Sequence, residues 1–238
     1  MLKPLLPLAL IAALSGGCAH QTAPRTDPLA DLLGSVKLVD SPTRTVEQAG
    51  QKRLALIVST SSETQFKTRE EQNKQYLEGY VRSWEPGSYG AIKTMQESVG
   101  PRQLVDVVLA ELRPRFRNVT VVNDFAAFRQ QGRDVAVVMD VGMEGTTSNT
   151  PAKLEAEYTT DVTLIFFDPQ IRRIGTAVGK ATERGERSWG ADIAKAFLLF
   201  APDPKPEEIY GPLVAAEKKS RETAFARLRT AVDALVRR

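Results

Sequence analysis

Residues 53–59 read RLALIVS, and the elements that flank this run decide the fold class. It is short, apolar and rich in branched side chains without alternation, the pattern of a strand buried on both faces. A second such run, VAVVMDVGM, occupies residues 135–143. Between them, residues 101–116 place Leu104, Val105, Val108, Leu109 and Leu112 at helical spacing, with Pro101 suited to a first turn and Pro114 to a stop. Residues 118–122 predict a brief strand, and residues 124–131, ending before Gly132, a short helix. Beyond the second run, residues 145–151 carry turn chemistry throughout. Residues 153–167 alternate as a long strand, antiparallel to its predecessor by hairpin logic, and Asp168-Pro169 marks the next turn. Residues 171–182 return as another strand, where Gly175 and Gly179 point to bulges or a close contact. A long amphipathic helix over residues 213–236 closes the order. Strand, helix, strand, three-strand meander and helix give an α+β domain, a central mixed and largely antiparallel sheet flanked by helices.

Two stretches interrupt that order. Residues 60–100 are long and mostly polar, with a helix-like part over 69–80, and are expected as an inserted segment of the domain. Such an insert is either functional or a variable surface excursion; its aromatics Tyr76, Tyr80, Trp84 and Tyr89 would supply the wall of a ligand site. Residues 189–200 gather Trp189, Ile193, Phe197, Leu198, Leu199 and Phe200 into an apolar helix that ends against Pro202, Pro204 and Pro206. Trp189, Phe197, Leu198 and Phe200 are candidates for an interface or a membrane contact, because contiguous apolar patches rarely stay bare and tryptophan favours the headgroup region. A core helix laid across the sheet explains the same residues.

Upstream, residues 1–18 read MLKPLLPLALIAALSGGC. Lys3, an apolar run of about ten residues and the small residues Ser15, Gly16 and Gly17 have the build of a secretory leader rather than of a membrane span, which needs about twenty apolar residues. Cys18 is the single cysteine of the chain, so no intramolecular disulfide forms and stability rests on packing. Residues 18–50 are expected as a tether and docking segment, polar at first and then a short amphipathic helix over 28–39 (Leu29, Leu32, Leu33, Val36). Residues 51–238 are expected as one domain.

Composition excludes several classes. Hydrophobic residues make up 42% and charged residues 26%, near the averages of globular proteins. The 32 Lys and Arg are interspersed with 29 Asp and Glu, and the densest cationic sets, Arg172-Arg173 and Lys218-Lys219, are pairs, which argues against a nucleic-acid partner. The one histidine, His20, lies in the tether, so histidine-based triads are excluded and no transition-metal site is expected. No glycine-rich turn has phosphate-loop spacing, so no nucleotide or other cofactor is predicted. The carboxylates Asp140, Glu144, Glu155, Glu157 and Asp161 fall on adjoining strands, where two could approach as a hydrolase pair or cation site; a solvated sheet face is the plainer account.

The run Leu14-Ser15-Gly16-Gly17-Cys18 resembles the lipobox of bacterial lipoproteins, with Leu14 one position farther from the cysteine than is usual. That resemblance implies that Cys18 is acylated and becomes the new amino terminus, and Ala19 in place of an aspartate favours the outer membrane. RLALIVS, LVDVVLAELRPRF, NVTVV, VAVVMDVGM, the long hairpin and the closing helix together resemble the TolB amino-terminal domain, a fold shared by the curli-secretion lipoprotein and by activator lipoproteins of penicillin-binding proteins. The resemblance implies a non-enzymatic envelope protein, lipid-anchored and facing the periplasm, that oligomerises or docks on an envelope partner. A glycan- or ligand-binding lipoprotein using Tyr80, Trp84 and Tyr89 is the competing expectation, and an envelope hydrolase a weaker third.

Overall fold

The computed structural model describes residues 44–83, 102–149, 153–188 and 206–237. Its elements are β1 (Arg53–Val58), α1 (Thr60–Ser83), α2 (Gln103–Leu112), β2 (Asn118–Val122), α3 (Phe125–Gln130), β3 (Val135–Asn149), β4 (Lys153–Phe167), β5 (Arg173–Ser188) and α4 (Pro206–Leu235). The strands form one sheet in the order β2-β1-β3-β4-β5. β1 pairs in parallel with β2 and with β3, over five-residue registers, whereas β3, β4 and β5 are antiparallel along almost their whole lengths. The fold is α+β, with a mixed, largely antiparallel sheet flanked by helices, as the element order predicts. The short helix expected over residues 28–39 and the apolar helix over 189–200 lie outside the described residues.

Several boundaries differ from the sequence expectation: β5 runs to Ser188 rather than 182, and α4 starts at Pro206 rather than 213. Residues 145–149 belong to β3 and pair with Leu154 to Tyr158 of β4, so the stretch with turn chemistry continues the strand almost to the hairpin tip. α1 begins at Thr60, well before residue 69. Its start follows from Ser59, whose Oγ accepts the Ser62 amide at 3.0 Å as a cap.

Because β3, β4 and β5 far outrun β1 and β2, the molecule has two unlike halves. In the proximal half both sheet faces are covered. One face carries Leu54, Leu56, Val135, Val137, Leu164 and Phe166 under α2 and the end of α4, and the other carries Ile57, Val138 and Phe167 under Phe125 and Phe128 of α3. Phe125 meets Phe167 edge-on, with centroids 5.3 Å apart. α3 is capped at its start by the Asp124 carboxylate, which accepts from the Ala127 amide at 2.7 Å, and stopped by Gly132 at φ 57°.

In the distal half the described residues cover a three-stranded ribbon on one face only. α4 lies directly on β5, which presents the small residues Ala177, Gly179, Ala181 and Gly185 on that face. A Cβ added at Gly179 would stand 2.1 Å from the Ala224 carbonyl oxygen, and one at Gly185 would stand 2.7 Å from that of Pro212. The close contact anticipated at Gly179 is thus with a helix backbone. At Gly175 the β4–β5 register shifts between Phe166 and Phe167, the bulge that the same glycines suggest.

The chain enters the domain at the proximal end. The Arg44 amide donates to the Ile174 carbonyl at 2.8 Å, Val46 exchanges backbone hydrogen bonds with Leu235 and Arg237, and Val46 bridges Val236 in parallel. From Ile174 to Ser188, β5 runs about 50 Å, at ~3.4 Å per residue, so this entry point is that far from the hairpin tip.

Candidate functional site

The polar groups that the fold gathers lie where β1 stops and β3 continues. Parallel strands of an α/β sheet present ligands at their carboxyl ends, beside the strand where the order reverses, and here that place is the end of β1 next to β3. Three buried side chains meet there. Asp140 Oδ1 accepts from Ser59 Oγ at 2.6 Å and lies 3.3 Å from Ser62 Oγ, and the two hydroxyls are 2.8 Å apart. Ser59, Ser62 and Asp140 each have 0% exposure. Their remaining capacity goes to backbone: Ser59 Oγ caps α1, and Ser62 Oγ accepts the Val141 amide at 2.7 Å. A buried carboxylate is stable when hydrogen-bonded in this way. The arrangement caps a helix and joins it to the sheet. It offers neither a surface for substrate nor a histidine base, since the chain's only histidine is His20.

Farther along the ribbon, Glu217 of α4 stands between two guanidinium groups. Its Oε2 accepts from Arg69 Nη2 at 3.0 Å and its Oε1 from Arg221 Nη2 at 2.8 Å. Glu217 and Arg221 are buried, at 8% and 7% exposure. Burial, opposed by the Glu217 charge, holds the Arg221 guanidinium below its usual pKa. Tyr158 of β4 lies beside the group, and burial together with the Glu217 charge pushes its phenol up to about 12. Its ring needs Gly145: a Cβ there would come within 3.2 Å of Tyr158 Cε1. A recess of about 20 Å³ opens among Arg69, Glu144, Gly145, Tyr158 and Glu217. That is room for about one water, and it is lined by two carboxylates, Glu144 and Glu217, and one guanidinium, Arg69. Next to it, Ser220 Oγ donates to Thr160 Oγ1 at 2.9 Å, so even the interface under α4 is polar here.

The five carboxylates singled out in the sequence separate. Asp140 is in the buried serine cluster. Glu157 pairs with Arg184 at 2.6 Å, Glu155 pairs with Lys153, and Asp161 lies 3.9 Å from Lys180, all on the bare face of the ribbon. Glu144 is exposed at the edge of the recess. Each partner named here is a cation or a hydroxyl, the pattern of a solvated sheet face. Among the described residues, no group of three or more His, Cys, Asp or Glu side chains comes together to hold a metal. Nor is any helix among them long and apolar enough to cross a membrane.

Cys18, Trp84, Tyr89, Trp189, Phe197, Leu198 and Phe200 lie outside the described residues, and Tyr80 is described only as backbone within α1. Sequence reasoning missed Ser59, Ser62, Gln65, Arg69, Glu217 and Arg221. The available signal was a Ser-x-x-Ser pair directly after a buried strand, facing a lone aspartate inside the otherwise apolar VAVVMDVGM.

No protein-family model matches the chain, and no curated protein matches it. Among solved structures it is similar to a minor lipoprotein from Acinetobacter baumannii, at 13% identity over 74% of this chain and 92% of that one, with a TM-score of 0.24. A score that low carries no argument about function.

Proposed function

We propose that the chain is a lipoprotein anchored through Cys18 in the outer membrane, facing the periplasm, and that it serves as a non-enzymatic assembly or accessory component of an envelope machine. The observation that carries the reading is the pairing of a lipobox-like run with the point at which the chain enters the domain. A tether that joins the domain at Arg44 to Ala49 starts from the proximal end, about 50 Å from the hairpin tip. A lipid at Cys18 would then hold the domain by its proximal end, opposite the hairpin tip, and leave the ribbon free to meet a protein partner. Twenty-five residues separate Cys18 from Arg44, enough to span up to about 90 Å when extended.

Two arms test the proposal in cells. Metabolic labelling with an alkyne fatty acid is expected to mark the native protein and to fail for Cys18→Ser. A photo-crosslinking residue at Thr146, on the bare face, is expected to capture an envelope protein, and the same residue at Val107, on α2, is expected not to. Unlabelled native protein free in the periplasm would defeat the anchor. Absence of any adduct from Thr146 would defeat the assembly role.

A further inference from the structure

α1 is held to the sheet by groups of a different kind from those that hold its neighbours. α2 buries Leu104, Val108, Leu109 and Leu112. Along the described side chains of α1 the buried residues are Ser61, Ser62, Gln65 and Phe66, of which Phe66 alone is large and apolar. What α1 covers is an edge. The β1 register ends at Val58 opposite Met139, and the Ser59 amide takes the Met139 carbonyl at 2.9 Å. Past that point no strand among the described residues pairs with β3 on this side, and its odd-numbered amides face α1. The Val141 amide donates to Ser62 Oγ at 2.7 Å and the Met143 amide to Gln65 Oε1 at 3.2 Å. Ser62 and Gln65 are three apart and so share one helix face. The next contact along that face is the Arg69–Glu217 ion pair at 3.0 Å.

Two side chains of a helix, Ser62 and Gln65, thus stand in for a missing strand. When such a helix lifts, its hydrogen bonds to β3 are exchanged for bonds to water, and among its described side chains Phe66 is the one large apolar group uncovered. We infer that α1 is a releasable strap over the free edge of β3, opening and closing in the native protein while the proximal core stays folded. In the open form the Val141 and Met143 amides lose their acceptors and β3 presents a row of bare donors. Asp140 and Ser59 set the hinge end of the strap, because Ser59 bonds Met139 and Asp140 at the end of the proximal half and Ser62, Gln65 and Arg69 lie beyond it.

Native-state amide exchange of the full chain, followed by NMR across sub-denaturing urea, tests the inference. The Val141 and Met143 amides are expected to exchange together with those of α1, at least tenfold faster than Val137 and with a shallow urea dependence, while Val137 follows the steep slope of global unfolding. Gln65→Ala, which removes the acceptor in the closed form, is expected to speed Met143 exchange by about tenfold or more. Equal rates and a common steep slope for Val137, Val141 and Met143 would overturn the strap. So would α1 amides that exchange only with the global transition, or a Met143 rate indifferent to Gln65→Ala.

Discussion

β3 passes through two environments within a single strand. From Val135 to Met139 it lies between two hydrogen-bonded neighbours with apolar layers on both faces. From Val141 onward it has β4 on one side, hydrogen-bonding side chains of α1 on the other, and water over one face. The first half is stabilised by burial, the second by polar groups that satisfy one another. Burial tolerates changes of pH and salt, whereas a network of buried charges depends on every partner being present and correctly protonated.

The difference can be broken from either end. Truncating the proximal core should cost most: Phe166→Ala removes a fully buried ring and is expected to lower stability by about 4 kcal/mol, read from urea unfolding. In the distal half, Glu217→Gln takes away the carboxylate that Arg69 and Arg221 share, with an expected loss of about 3 kcal/mol and no change in apolar area. A loss below about 1 kcal/mol would mean that the network is incidental.

Alkali should separate the halves as well. The Tyr158 phenol is raised from about 10 in the unfolded chain to about 12 in the fold. Its neutral form is therefore favoured by folding: the contribution is complete below pH ~10 and is lost as pH rises toward 12, by about 2 kcal/mol. Urea midpoints should fall less between pH ~8 and pH ~11.5 in Tyr158→Phe than in the native protein. The smallest effect belongs to the bare face. Arg184 and Glu157 are both substantially exposed, and Arg184→Ala is expected to change stability by no more than about 0.5 kcal/mol. A larger change would mean that this face is covered.

The same contrast explains what is legible in the sequence. The proximal half announces itself: RLALIVS, NVTVV and the Leu104–Leu112 spacing are local patterns, and β1, β2 and α2 fall where they predict. The distal half hides its structure in residues that look solvent-facing. Gly145, Thr146, Thr147, Ser148 and Asn149 each favour a turn, yet pairing with β4 extends them, and Gly145 is needed as the floor of the Tyr158 ring. The buried side of α1 is serine and glutamine with one large apolar residue, Phe66, so no apolar period marks its first turns. Glu217 and Arg221 are one helical turn apart, which reads as a surface pair, and only the fold brings Arg69 to the same carboxylate. Asp140 stands out as a carboxylate, but its serine partner Ser59 lies 81 residues away.

The most direct test of two separately held halves is amide exchange in Phe166→Ala. An opening confined to the distal half leaves position 166 packed in both the closed and open forms, so the substitution should not alter it. The Val137 amide is then predicted to exchange about a thousandfold faster in the variant while the Met143 amide keeps its native rate. Equal acceleration of both amides would contradict separate halves, because the molecule would then be a single cooperative unit.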